Sequence, residues 1–163
     1  MITLNEERRL PVTLRALTQV ADEIIVVDAG STDRTREIAA SFGAFVYERE
    51  WDNYSAQKRY AESLCKGDWL INVDADEEIS PELVREILYA IGEETYQVLR
   101  VHIIDIFPGH KKPNRLVRHY NVIRLYKRGY ASMGETYTCD RVAFLRDDAR
   151  VGQLDSLIYH RSF

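Results

Sequence analysis

Four acidic side chains, Asp74, Asp76, Glu77 and Glu78, fall within five positions. They follow an apolar run, Trp69, Leu70, Ile71 and Val73, which itself follows a turn at Lys66-Gly67. A short apolar run bounded by a turn reads as a buried strand, here expected to be parallel and covered on both faces. The acids then stand at its carboxyl end, where open α/β sheets hold their ligands. Carboxylates crowded there repel one another unless a cation neutralises them. Asp74 and Asp76, two apart, are expected to turn toward one metal. Hard carboxylate oxygens suit Mg²⁺ or Mn²⁺, which share their coordination shell with substrate phosphates. A solvated acidic loop capping the next helix is the competing reading, because Ser80-Pro81-Glu82 is a good helix start.

The elements that position these acids alternate. Met1 to Asn5 looks like the end of a strand, and Asn5-Glu6-Glu7 is a polar turn. Pro11 suits an early position of a helix carrying Leu14 and Leu17 inward. Ile24 to Val27 is a β-branched run ending in Asp28, hence a buried strand. Gly30 turns the chain, Ser31 or Thr32 is placed to cap a helix running to about Phe42, and Gly43 stops it. A strand at Ala44 to Tyr47 and a helix at Asn53 to Leu64, with Tyr60, Ala61 and Leu64 toward the sheet, lead back to Gly67. Strands alternating with helices predict a parallel, doubly wound sheet. Thr3 and Asn5, Asp28, then Asp74 and Asp76 converge on one edge of it.

Beyond a helix at Pro81 to Ile91 the pattern changes. Tyr96 to Ile106 and Asn121 to Tyr126 read as strands with no helix between them, which predicts antiparallel or mixed pairing. The chain is therefore expected to form one α/β domain over 1–163, with an alternating strand-helix half at 1–91 and a mixed-sheet half at 92–163. Seven Lys or Arg and no Asp or Glu lie between Ile106 and Gly134. That segment is either a solvated surface or a cationic flap over phosphates or an anionic membrane surface.

At 163 residues the chain is long enough for a real core, and its 45% hydrophobic and 29% charged composition is that of a globular protein. A formal charge of −4, from 22 basic and 26 acidic residues, argues against nucleic acid as a partner. Cys65 and Cys139 form no paired motif, so both read as reduced thiols in the cytoplasm. No apolar run approaches the ~20 residues that cross a bilayer, so membrane association is expected to be peripheral.

Together ITLNEE, DEIIVVDAGSTDRT, the Ala56-Gln57-Lys58 helix and DWLINVDADEE resemble the inverting family 2 glycosyltransferases of GT-A fold, in that family's order and spacing. The EREWDNY and DADEEISPEL stretches are most similar to the bacterial lipopolysaccharide-core β-glucosyltransferases. The resemblance implies a Rossmann-like half that binds a UDP-sugar and a second half that meets a glycan or glycolipid acceptor. It also implies that Thr3, Leu4, Asn5 and Glu6 line the nucleotide and that Asp28 accepts the uracil N3–H. Lys58 falls at a basic position near the nucleotide, with Arg59 where the family commonly has Asn. Asp74 would hold the ribose, with Ala75 beside it in the nucleotide-sugar site, and Asp76 the metal on the diphosphate. His160 resembles a late histidine that joins that metal.

RLYKRG at Arg124 to Gly129 resembles the family's RLF-basic stretch. Related enzymes follow it with Val-His-Glu, where this chain has Tyr137-Thr138-Cys139-Asp140; the catalytic base is assigned to Asp140. The first strand and the carboxyl-terminal part look truncated against the family. The function implied is metal-dependent hexosyl transfer, with glucose as the sugar and a cell-envelope glycan such as lipopolysaccharide core as acceptor. It is placed in the cytoplasm, with peripheral contact to the inner membrane face through the basic 110–128 segment. A catalytically inactive nucleotide-sugar-binding module is one alternative. A nucleotidyltransferase is another, disfavoured by the acidic turn after the first strand; a receiver domain would need a lysine on a later strand tip, and the second half shows no such strand.

Overall fold

A computed structural model describes residues 1–107, 109–110, 119–135 and 141–161. The β-branched run of the second strand is buried at every position, as its composition requires. This strand, β2 (Ile25–Asp28), lies between β1 (Ile2–Thr3) and β3 (Phe45–Glu48) in a parallel, three-stranded sheet. Helix α1 (Leu10–Leu17), entered through Pro11, buries Leu10, Leu14 and Leu17. Helix α3 (Tyr54–Leu64) covers the other face with Ala61 against Ile25 and Val27. Its amino end is fixed by Asn53, whose side chain accepts the Ala56 N–H at 2.9 Å.

Helix α2 (Thr35–Ser41) begins later than its sequence suggests. The Ser31 hydroxyl is taken by Asp28, and Asp33 instead accepts the Thr35 N–H at 2.9 Å. Gly43, at φ +79°, closes the helix in the left-handed region that glycine adopts freely.

The apolar run after Gly67 forms β4 (Trp69–Ile71), which pairs antiparallel with β7 (Tyr120–Lys127). The expected parallel direction is thus corrected. An apolar run reports burial, whereas direction depends on a partner strand more than fifty residues away. Glu77 and Glu78 lie in a short strand, β5 (Glu77–Ile79), that precedes α4 (Pro81–Glu93), whose Ser80 cap accepts the Leu83 N–H at 3.2 Å. Among the described residues the second sheet has the order β4-β7-β6-β10-β5, with β6 at Val98–Asp105 and β10 at Val151–His160. It is mixed: β6 runs antiparallel to β7 and parallel to β10. A hairpin of β8 (Ala131–Met133) and β9 (Val142–Phe144) stands beside it. The main core joins Leu10, Leu14, Leu83 and Ile87 of the helices to Leu99, Ile103 and Ile158 of this sheet.

Candidate active site

Three elements bring the polar tips together. At the end of β1, Asn5 adopts φ +55° and is tied to the loop after β2. Its N–H donates to Ser31 Oγ at 2.8 Å, and its side-chain oxygen accepts the Thr32 N–H at 2.8 Å. The Glu6 N–H donates to Thr35 Oγ1 at 2.7 Å, and Leu4 beside it is exposed. Under this turn Asp28 is fully buried and accepts four hydrogen bonds. Oδ1 takes the N–H groups of Gly30 and Ser31, and Oδ2 takes the hydroxyls of Thr3 at 2.8 Å and Ser31 at 2.5 Å. Four donors match the lone-pair sites of a carboxylate. A uracil N3–H at Asp28 therefore has to displace one of them.

The acidic segment divides into an inner and an outer half. Asp74 faces inward: Oδ1 lies 2.6 Å from Lys58 Nζ and Oδ2 3.0 Å from Arg124 Nη2. The same Arg124 nitrogen bonds the buried Glu77 carboxylate, whose other oxygen accepts the Asp74 N–H at 3.0 Å. Burial alone would raise the Asp74 carboxyl, but Arg124 and Lys58 outweigh it and hold it well below the usual carboxylate range. For Glu77, burial is the stronger influence and pushes the group up against Arg124. Lys58 is itself buried, so its charge serves Asp74.

Asp76 faces the other way. Its Oδ2 lies 3.3 Å from His160 Nε2 and 3.7 Å from Arg9 Nη1, while Arg9 grips Glu6 through two bonds of 2.7 and 2.8 Å. Glu6 is raised by burial and lowered by Arg9, with burial prevailing. His160 Nδ1 lies 2.8 Å from Asp105 Oδ1. The hydrogen bond to Asp76 pushes His160 up to about 9 against burial, and Asp105 adds to the rise. The backbone holds this arrangement in place: the Arg161 N–H donates to the Asp76 carbonyl at 2.9 Å, and Thr13 Oγ1 donates to the Ala75 carbonyl at 2.9 Å.

Asp74 and Asp76 thus turn to different partners, and a metal shared by both would require Asp74 to give up Lys58 or Arg124. A carboxylate already bridging two cations has little left to offer a third. Among the described residues no three His, Cys, Asp or Glu side chains form a ready-made cage. Asp76 and His160, with Asp105 behind the ring, do fit Mg²⁺ or Mn²⁺ that draws its remaining ligands from phosphate and water. Through Nε2 such a metal displaces the imidazole proton.

Asp140, and residues 111–118 of the basic segment, lie outside the described residues. Glu77 was singled out only as one of four clustered acids, and Arg124, Arg9, Asp105 and Arg161 were not singled out as site groups in the sequence. Arg124 carried a signal: an arginine inside the apolar strand VIRLY requires buried carboxylates.

The fold is that of the GT-A glycosyltransferases. The chain matches the Glycosyl transferase family 2 profile over residues 1–150, and it belongs to that family. It is 37% identical to the uncharacterized glycosyltransferase RT0209 of Rickettsia typhi, over 99% of this chain and 59% of that protein. It is 36% identical to the lipopolysaccharide core biosynthesis glycosyltransferase LpsC of Rhizobium meliloti, over 79% of this chain and 50% of that one. The chain therefore spans little more than half the length of these relatives. Among solved structures it is similar to residues 1–349 of Staphylococcus aureus TarS in complex with UDP-GlcNAc. The TM-score there is 0.73 at 17% identity, over 99% of this chain and 57% of that one. It is also similar to glucosyl-3-phosphoglycerate synthase of Mycobacterium tuberculosis with Mn²⁺, UDP and glucosyl-3-phosphoglycerate. That match has a TM-score of 0.54 at 24% identity, over 63% of this chain and 42% of that one.

Proposed function

We propose that this chain is the donor-binding core of an inverting glycosyltransferase. It takes a UDP-hexose, with glucose as the sugar, and serves transfer to a cell-envelope glycan or glycolipid such as lipopolysaccharide core. The observation that carries the reading is the Arg9 bridge between Glu6 and Asp76, which ties the β1 turn to the Asp76–His160 pair. A nucleotide lying along Thr3 to Glu6 would have its diphosphate beside Asp76, with Ala75 and the ribose near Asp74. Where Mg²⁺ or Mn²⁺ is bound, Asp76 and His160 would hold it, and it supplies neutralisation of the leaving diphosphate. Relatives of the fold crystallised with UDP and Mn²⁺ or Mg²⁺ support that choice.

Asp140 is the proposed base. It takes the proton of the acceptor hydroxyl as that oxygen bonds to the anomeric carbon. The bond to the diphosphate breaks, and its electron pair leaves with UDP. One displacement inverts the anomeric centre and needs no carboxylate nucleophile, in contrast to a retaining hydrolase. The basic 110–128 segment is the proposed contact with the phosphates or an anionic membrane surface. Among the described residues no helix is long and apolar enough to cross a membrane.

Calorimetry with UDP, with and without Mn²⁺, tests the reading. Metal should tighten UDP binding at least about tenfold, a coupling of ~1.4 kcal/mol, and Asp76→Ala should abolish the gain. UDP affinity indifferent to metal in the parent chain would refute a shared site.

A further inference from the structure

The ladder between β6 and β7 carries one extra residue. Leu99 lies opposite Leu125, but the next position, Arg100, lies opposite Ile123, which leaves Arg124 as a bulge on β7. A bulge resets the alternation of side chains, and a slip of one residue turns every side chain beyond it to the other face. Regular alternation from the buried Leu125 would send Tyr120 away from the main core. With the bulge, Val122 lies opposite Val101 and Tyr120 opposite Ile103, on the core face. Ile123 turns to the opposite face, where it packs against Leu70, Val98 and Tyr126.

Two rows of side chains cross the core face of the sheet at the site. In the outer row, His160 stands between Glu77 and Asp105. In the inner row, Ile158 stands between Ile79 and Ile103, and Tyr120 follows on β7. The isoleucines are at most 2% exposed, whereas Tyr120 is 44% exposed. An apolar row thus ends in an open aromatic ring on the side of the Asp105 carboxylate. Burial and the charges of Asp105, Glu77 and Asp74 raise the phenol against Arg124, so its hydroxyl stays neutral. Asp105 gives Oδ1 to His160 Nδ1 and is itself partly exposed.

We propose that Tyr120 and Asp105 form the subsite for the donor hexose. The ring lies against a C–H face of the sugar, and the carboxylate accepts hydrogen bonds from its hydroxyls. The inference rests on the donor reading above, in which the diphosphate lies beside Asp76 and His160; a sugar joined to it comes next to Asp105 and then to Tyr120. A pyranose presents apolar C–H patches and a rim of hydroxyls, so an aromatic face beside a carboxylate matches both. Tyrosine offers that face at low entropic cost, having only two side-chain torsions. One bulge then serves two ends of the site: it puts Arg124 on Asp74 and Glu77, and it turns Tyr120 toward the sugar.

Calorimetry in Mn²⁺ compares UDP with UDP-glucose on the parent chain, Tyr120→Phe and Tyr120→Ala. The alanine variant should lose UDP-glucose affinity by roughly fivefold or more and hold UDP within about twofold, while the phenylalanine variant keeps both. Thermal melting shows whether the alanine variant is folded; if it is not, Tyr120→Leu, which keeps apolar bulk without a ring, takes its place. By NMR the hexose protons of UDP-glucose should move upfield on binding the parent, through the ring current, and Tyr120→Leu should abolish that movement. A folded ringless variant that binds UDP-glucose as the parent does, or that loses UDP and UDP-glucose alike, overturns the assignment. So do hexose protons that bind without a ring-current shift. Those results leave the donor reading standing, whereas a parent chain that fails to bind UDP removes that reading and this inference together.

Discussion

Replacing Arg124 by Met probes the inner half of the site. Arg124 is 8% exposed, and one of its nitrogens serves both Asp74 and Glu77, the latter 1% exposed. Met fills much of the volume but leaves Glu77 without its bonded cation and Asp74 with Lys58 alone. Breaking a buried pair by removing one partner costs about 3–5 kcal/mol, because a desolvated charge is left uncompensated. For a domain of this size that corresponds to a fall of roughly 6–20 °C in Tm, a large part of the ~5–15 kcal/mol that holds a typical domain folded. Urea denaturation and thermal melting near neutral pH measure it. Glu77→Gln combined with Arg124→Met should recover part of the loss, since the neutral amide no longer needs a counter-ion. A single-variant loss below about 1 kcal/mol, the value of a solvent-screened pair, would refute the reasoning. So would a double variant no better than Arg124→Met.

Three shorter predictions follow from other groups. Asp28→Asn should cost about 1–3 kcal/mol through weakened charge-assisted bonds, and should weaken UDP and GDP binding in equal proportion. A selective loss of uridine affinity at unchanged Tm would instead make Asp28 a direct reader of the base. Glu62, which accepts the Met133 N–H at 2.9 Å, is raised by burial against that bond and Tyr126. A raised folded pKa means stability that is full below the unfolded value and lost as pH rises through the folded one. Glu62→Gln should therefore outlast the parent in melts near pH 8 and lose that advantage near pH 4, whereas parallel curves would contradict the assignment. Asp140→Asn, made in a full-length relative if this chain does not turn over, should keep UDP-sugar affinity while transfer falls at least ~10²-fold. Survival of transfer there, with collapse in Glu135→Gln, would move the base by one loop.

Much of the donor half is legible in the sequence because its signals are local. The Ile24–Val27 run, the Asn53 and Ser80 caps and the Gly43 stop each depend on neighbours within a few positions, and each lies where the residues indicate. The direction of β4 and the pairing of Glu77 with Arg124 depend on contacts across 47 residues or more, which no local window contains. The acidic segment misled for a related reason. Two carboxylates at a strand tip look equivalent in sequence, yet the turn at 75–76, closed by the Glu77 N–H on the Asp74 carbonyl at 3.1 Å, sends one to buried cations and the other to His160. Strand β10 was missed because Gly152, Gln153, Asp155 and Ser156 break its apolar pattern, and its register shifts between Gln153 and Leu157.

That late strand also sets when the site can exist. His160 reaches Asp76 only after β10 has inserted between β6 and β5, and the β6 pairing spans more than fifty positions. Non-local pairing of this kind pays its loop-closure entropy before any contact repays it, so it forms slowly. During synthesis the amino-terminal strands emerge first, at ~5–20 residues per second. A nascent chain thus displays the Thr3–Glu6 turn and Asp76 for seconds before the histidine arrives. The proposed metal-coupled nucleotide binding would then mark the end of folding, and its appearance during refolding would give a clock for closure of the central sheet.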